Sequence, residues 1–85
     1  MYEFSYTIKD PVGIHARPAG LLAKQAKQYS SVCTVTKGEQ TQKLTQLMML
    51  MAMGIGLGDT VVVRAEGEDE DQAIRELEAY FKANL

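Results

Sequence analysis

Gly13-Ile14-His15-Ala16-Arg17-Pro18 is the stretch on which the reading of this chain turns. It contains the only histidine, and an amphipathic run follows it. Proline is tolerated in the first turn of a helix, where its missing N–H would have no intrahelical partner. The stretch therefore reads as a loop that becomes a helix, with His15 at or just before the helix N-terminus. Arg17 precedes proline and is biased away from helical angles, which leaves the start open between His15 and Pro18. The first N–H groups of a helix are unpaired and carry partial positive charge, so they make a ready anion site. An imidazole there, with an arginine two residues on, can take up a phosphoryl group and have its charge matched. The competing reading is a plain surface histidine near a helix cap.

On the N-terminal side, Tyr2, Phe4, Tyr6 and Ile8 alternate with Glu3, Ser5 and Thr7, the period of a strand with one buried face. Asp10-Pro11 and Gly13 break it. On the C-terminal side the helical pattern runs from Ala16 to about Tyr29, with Pro18, Leu21, Leu22, Ala26 and Tyr29 on the inner face. Gly20 sits inside it at some cost against alanine, which suggests a close approach or a spared clash. Val32 to Thr36 is a short β-branched strand in which Cys33 and Val35 share the inner face, so Cys33 reads as a buried hydrophobe. Lys37-Gly38-Glu39 turns the chain, and Gln40 to Lys43 reads as a polar edge strand.

Leu47-Met48-Met49-Leu50-Met51-Ala52-Met53 stops at Gly54 and reads as a short helix with a glycine cap. Two apolar turns on a small domain cannot bury every face. Leu47 and Leu50 are expected mostly inside, Met48 and Met51 partly outside, where methionine suits a surface that must fit several partners. Thr45 is expected to cap this helix. After the turn at Gly56-Leu57-Gly58-Asp59, Thr60 to Ala65 is the strongest strand and belongs at the sheet centre. Glu68-Asp69-Glu70-Asp71 opens the last helix, with Asp69 as N-cap and Gln72 as its reciprocal partner. Ala73, Ile74, Leu77, Tyr80 and Phe81 form that helix's core stripe. The order is β-α-β-β-α-β-α, an α+β layer architecture with helices on one face of a four-stranded, mostly antiparallel sheet.

With 85 residues the chain has room for one domain, residues 1–85, and one modest core. The net charge of −2 and the aromatic content of 7% argue against a nucleic-acid partner. One cysteine, Cys33, makes neither an internal disulfide nor a zinc site. A small domain without staples fits a reducing cytoplasm, and Tyr2 to Tyr6 does not read as a signal peptide. The longest apolar run, Leu47 to Met53, is too short to insert across a membrane.

At Gly13 to Ala19 the sequence resembles the HPr family, the histidine-containing phosphocarriers of the bacterial phosphoenolpyruvate-dependent sugar phosphotransferase system. A second motif carries the same likeness: Met51-Ala52-Met53-Gly54-Ile55, then Gly58 and the strand ending Ala65-Glu66-Gly67. Length and element order match as well. The resemblance implies an open-faced β-sandwich with strand order 1-4-2-3 and three helices on one face. It implies that His15 takes phosphate on Nδ1 from enzyme I and passes it to the A-domain of a sugar-specific enzyme II. Arg17 would stabilise the transferring group, the Ala16 and Arg17 backbone would bind phosphate, and Leu47, Met48 and Met51 would dock both partners. The protein would be a monomeric carrier rather than an independent catalyst, with no cofactor and no metal.

Three departures from the family pattern stand out. Gln46 replaces the serine that is a regulatory phosphorylation site in relatives from low-GC Gram-positive bacteria, so serine-dependent control is expected to be absent. Met49 stands where a small residue or lysine is common. The β2–β3 turn lacks the usual Asn-Gly. Other readings are a small α+β binding module, a regulatory relative that uses the fold only as a surface, and a paralogue serving a nitrogen-related or kinase-linked phosphorelay. The regulatory relative would lack the histidine that is present here, whereas the paralogue would use the same site.

Overall fold

Thr60 to Glu66 lies at the heart of the sheet, as its β-branched run predicts. The computed structural model describes residues 1–85. Its elements are β1 (Tyr2–Thr7), α1 (Ala16–Ala26), β2 (Val32–Lys37), β3 (Gln40–Lys43), α2 (Leu47–Ala52), β4 (Thr60–Glu66) and α3 (Glu70–Asn84). The sheet order is β1-β4-β2-β3, antiparallel throughout. β1 runs against β4 from Tyr2↔Ala65 to Thr7↔Thr60, and β2 pairs with β4's other edge from Val32↔Glu66 to Thr36↔Val62. The polar strand β3 is at the edge, as read from its composition.

Strand alternation places Phe4, Cys33, Val35, Val61, Val63 and Ala65 on one face, where the three helices cover them. Phe81 of α3 stands edge-on to Phe4 and Tyr6, with ring centroids 5.5 and 5.8 Å away. The other face is open and polar. Registered pairs knit it across strands: the Arg64 Nε donates to Glu3 at 3.0 Å, and the Thr7–Thr60 and Thr36–Thr41 hydroxyl pairs are each 2.8 Å apart.

Outside α2, local details differ from the sequence reading in five places. Helix α1 ends at Ala26 rather than near Tyr29, because its last turn tightens: Gln28 and Tyr29 donate to the carbonyls of Gln25 and Ala26, three residues back. Leu21, placed on the inner face, is 51% exposed; the buried stripe is Pro18, Ala19, Leu22, Ala23 and Ala26, whose alanines let the helix sit close. Gly20 relieves no clash, since a Cβ there would meet nothing within 4 Å. Tyr2 is half exposed at the sheet corner.

The fifth difference is the expected Asp69–Gln72 box. Asp69 is the N-cap of α3 but makes no cap bond to its own helix. Its carboxylate instead accepts from the Ser30 N–H (2.9 Å), the Ser31 N–H (2.9 Å) and the Ser31 hydroxyl. Three donors from the α1–β2 link outcompete one helix N–H. Gln72 turns to Glu76 (3.1 Å), and Glu70 takes the reaching-back role by accepting from the Gly67 N–H (3.1 Å). The Lys37–Glu39 turn is also resolved: Gly38 has φ +60° and no non-glycine residue has a positive φ. This is the glycine-first type of two-residue hairpin turn, which explains why an Asn-Gly pair is not needed.

Candidate functional site

His15 is the N-cap of α1, in an extended backbone conformation (φ −109°, ψ −172°), and its side chain makes no cap bond. Its carbonyl accepts from the Ala19 N–H at 2.9 Å, so the helix begins at Ala16 and Pro18 is the third helical residue. This settles the open start: Pro18 replaces an N–H that the first turn could not have paired. The N–H groups of Ala16 and Arg17 have no intrahelical acceptor and stay available. His15, Ala16 and Arg17 are exposed, while Ile14 and Pro18 on either side are buried. The His15 and Arg17 side chains are thus presented from a segment anchored at both ends.

His15 and Arg17 line a shallow cleft of about 280 Å³ with Asp10, Pro18, Leu21, Tyr80 and Asn84. The structure therefore brings the histidine and arginine together at one concavity. Tyr80 and Asn84 were not among the residues read as functional. The Tyr80 hydroxyl donates to the Pro18 carbonyl at 2.9 Å, and Asn84 Nδ2 donates to the Tyr80 carbonyl at 3.0 Å. Burial pushes the Tyr80 phenol above its ordinary pKa. The N–H groups of Lys9 and Asp10 donate to the Leu85 backbone oxygen at 2.6 and 2.8 Å. The end of α3 thus props both flanks of the site. The available signal was a tyrosine in an apolar helical stripe, whose hydroxyl needs a partner when it is half-buried.

The second feature is α2, which packs beside α1. Leu50 is fully buried and Leu47 half-buried, while Met48 is 75% and Met51 37% exposed. The division expected from the sequence holds for Leu50, Met48 and Met51, and holds partly for Leu47. Met49 is 46% exposed and faces the other way, over Gln40, Thr41 and Gln42 of β3. Thr45 is not the cap of α2. Gln46 is, without a side-chain cap bond, its carbonyl accepting from the Leu50 N–H at 2.9 Å. Thr45 lies in the turn that brings the Gln46 N–H to the Lys43 carbonyl (3.2 Å), one residue too early to cap.

Cys33 is buried, and burial raises its thiol pKa. Its sulfur lies 3.8 Å from the Ser31 carbonyl, beside the Ala26 end of α1 and not the end that carries His15. That environment suits an inert core thiol.

No helix of the structure is long and apolar enough to cross a membrane. A family model described as "PTS HPr component phosphorylation site" matches residues 2–83. Phosphocarrier protein HPr of Mycoplasma capricolum subsp. capricolum is 44% identical over 75 residues, spanning 88% of this chain and 84% of that protein. A solved Mycoplasma histidine-containing phosphocarrier protein superposes with a TM-score of 0.90 at 42% identity, over 93% of this chain and 90% of that one. HPr-C-His from Thermoanaerobacter tengcongensis gives 0.92 at 35% identity, over 98% and 93%. The chain therefore belongs to the HPr family, the phosphocarriers of the phosphotransferase system.

Proposed function

We propose that the protein accepts a phosphoryl group on His15 from phosphorylated enzyme I and hands it to the A-domain of a sugar-specific enzyme II. The observation that carries this reading is the exposed His15 at the open N-terminus of an eleven-residue helix, sharing its cleft with the exposed Arg17. A neutral imidazole nitrogen donates its electron pair to phosphorus while the bond to the donor group breaks and that pair returns to the donor. The Ala16 and Arg17 N–H groups and the Arg17 guanidinium face the oxygens of the transferring group. Phosphoryl transfer depends on positioning and charge matching more than on a set of protein acids and bases. One histidine, one arginine and a helix end are enough for a carrier that is not an independent catalyst.

Leu47, Met48 and Met51 dock both partners in turn, and residues 1–85 act as one unit, a monomer in the cytoplasm. Gln46 offers no hydroxyl at the start of α2, so serine-directed control is absent and regulation runs through the His15 phosphate level. Incubation with enzyme I, phosphoenolpyruvate and Mg²⁺, followed by intact-mass measurement, should add one acid-labile phosphate, and His15→Ala should add none. Undiminished labelling of that variant overturns the assignment. Arg17→Ala should keep the parent's Tm yet transfer more slowly, and Arg17→Lys should recover only part of the rate, because a point charge does not reproduce a planar fork.

A further inference from the structure

Lys37, the last residue of β2, and Asp59, just before β4, are far apart in sequence and have no part in the proposed chemistry. In the fold they meet. Lys37 Nζ donates to Asp59 Oδ2 at 2.9 Å and to the Gly54 carbonyl at 3.1 Å. The same Asp59 oxygen accepts from the Gly56 N–H at 2.8 Å, and this bond and Lys37 hold the Asp59 carboxyl below the usual range. No other side-chain hydrogen bond touches residues 54–59. That loop contains Gly54 (φ +66°), Gly56 and Gly58 (φ +87°), so its main chain is weakly constrained by local sterics.

This loop seats the residues before His15. The Ile55 carbonyl accepts from the Ile14 N–H at 3.0 Å. Gly13 lies so close over the loop that a Cβ on it would stand 2.5 Å from the Gly56 Cα. His15 directly follows Ile14.

We propose that Lys37 and Asp59 are a positioning pair for phosphoryl transfer: by fixing the Gly54–Gly58 loop they fix Gly13 and Ile14, and so the direction in which His15 meets its phosphoryl donor. The proposal rests on the carrier reading of His15. It differs from a purely stabilising role in a measurable way. The two side chains are 33% and 34% exposed, and ion pairs of that kind add little to global stability. In-line transfer, by contrast, is sensitive to small misplacements of the reacting atom. Loss of the pair therefore acts on the rate of the chemical step and leaves α2 free to dock.

The test uses the full chain with enzyme I, phosphoenolpyruvate and Mg²⁺. Lys37→Met is expected to lower kcat about 10-fold while KM for enzyme I changes by less than about twofold. The labelling end point stays at one phosphate per chain. Amide exchange at Ile14 should quicken while Val63, in the central strand, keeps the parent's protection. Lys37→Arg should restore much of the rate, since a guanidinium can still bridge carboxylate and carbonyl. Lys37→Met combined with Asp59→Asn should be no slower than the slower single variant, because the pair acts as a unit. Parental kcat in Lys37→Met overturns the proposal, as does a quickening of Ile14 and Val63 exchange by the same factor. A parent that takes no phosphate on His15 overturns the carrier reading, and this proposal with it; normal parent labelling with unchanged variants overturns this proposal alone.

Discussion

The Ile14 N–H donates to the Ile55 carbonyl at 3.0 Å, so the residue before the exposed histidine is held by the loop that leaves α2. The site and the methionine-rich helix are therefore one mechanical unit, although their sequences lie far apart. Gly13 makes the closure possible. It has φ +76°, and a Cβ on it would stand 2.5 Å from both the Ile55 carbonyl oxygen and the Gly56 Cα. Both are backbone atoms and have little room to yield. Gly13→Ala should cost about 2 kcal/mol or more, from the left-handed backbone and the clash together. That lowers Tm by roughly 8 °C or more for a domain of this size. Thermal unfolding by circular dichroism checks it; a Tm within about 2 °C of the parent would mean the loops part at little cost.

Met48 is the most exposed of the α2 methionines, so the fold has little to lose when it changes. Met48→Asp should leave Tm within about 2 °C of the parent. Both phosphoryl transfers, from enzyme I and to the A-domain, should weaken through KM, because an unpaired charge enters an apolar contact. Normal kinetics with both partners would remove Met48 from the docking surface.

Asp69 predicts an acid response. The Ser31 hydroxyl and the N–H groups of Ser30 and Ser31 hold its carboxyl down at about 2. An unfolded aspartate titrates at about 4. The folded value is the lower one, so the carboxylate contributes stability above about pH 4 and loses it as pH falls through about 2. Asp69→Asn should reduce stability at pH 7 and flatten the decline between those two values, measured by urea unfolding across pH. The depressed carboxyls of Asp59, Glu70 and Glu76 should keep part of the slope. An unchanged acid limb in Asp69→Asn would show that the bonds to Ser30 and Ser31 do not hold in solution.

Features that depend on period and composition were legible in the sequence. The alternation of Tyr2 to Ile8 gave a strand with one buried face, and the β-branched run of Thr60 to Ala65 and the polar Gln40 to Lys43 gave a central and an edge strand. Pro18 beside the only histidine gave the helix start to within a turn. Features that depend on which distant groups meet were not legible. Asp69 and Gln72 satisfy the local rule for a capping box, yet Ser30 and Ser31 arrive from the α1–β2 link and capture the carboxylate. Leu21 has the right spacing for the core, but Ala19 and Ala23 join Pro18, Leu22 and Ala26 in the buried stripe and turn the inner face away from it. Tyr80 and Asn84 reach the site only because α3 ends beside Pro18.

Gly20 offers the last test. It lies inside α1, where glycine loses more backbone freedom on folding than alanine does. It has no positive φ, and an added Cβ would meet no atom within 4 Å. Gly20→Ala should therefore stabilise the protein by about 0.5–1 kcal/mol, a rise in Tm of roughly 2–8 °C. The open space beside the position makes a second readout informative. Leu21, the next residue, is exposed and lines the cleft with His15 and Arg17. If the surface around Gly20 is covered when a partner docks, the methyl group will raise KM for enzyme I even as Tm rises. If it stays in solvent, Tm rises and the kinetics do not move. A fall in Tm would contradict both cases, because it would mean that glycine is needed there for the fold itself.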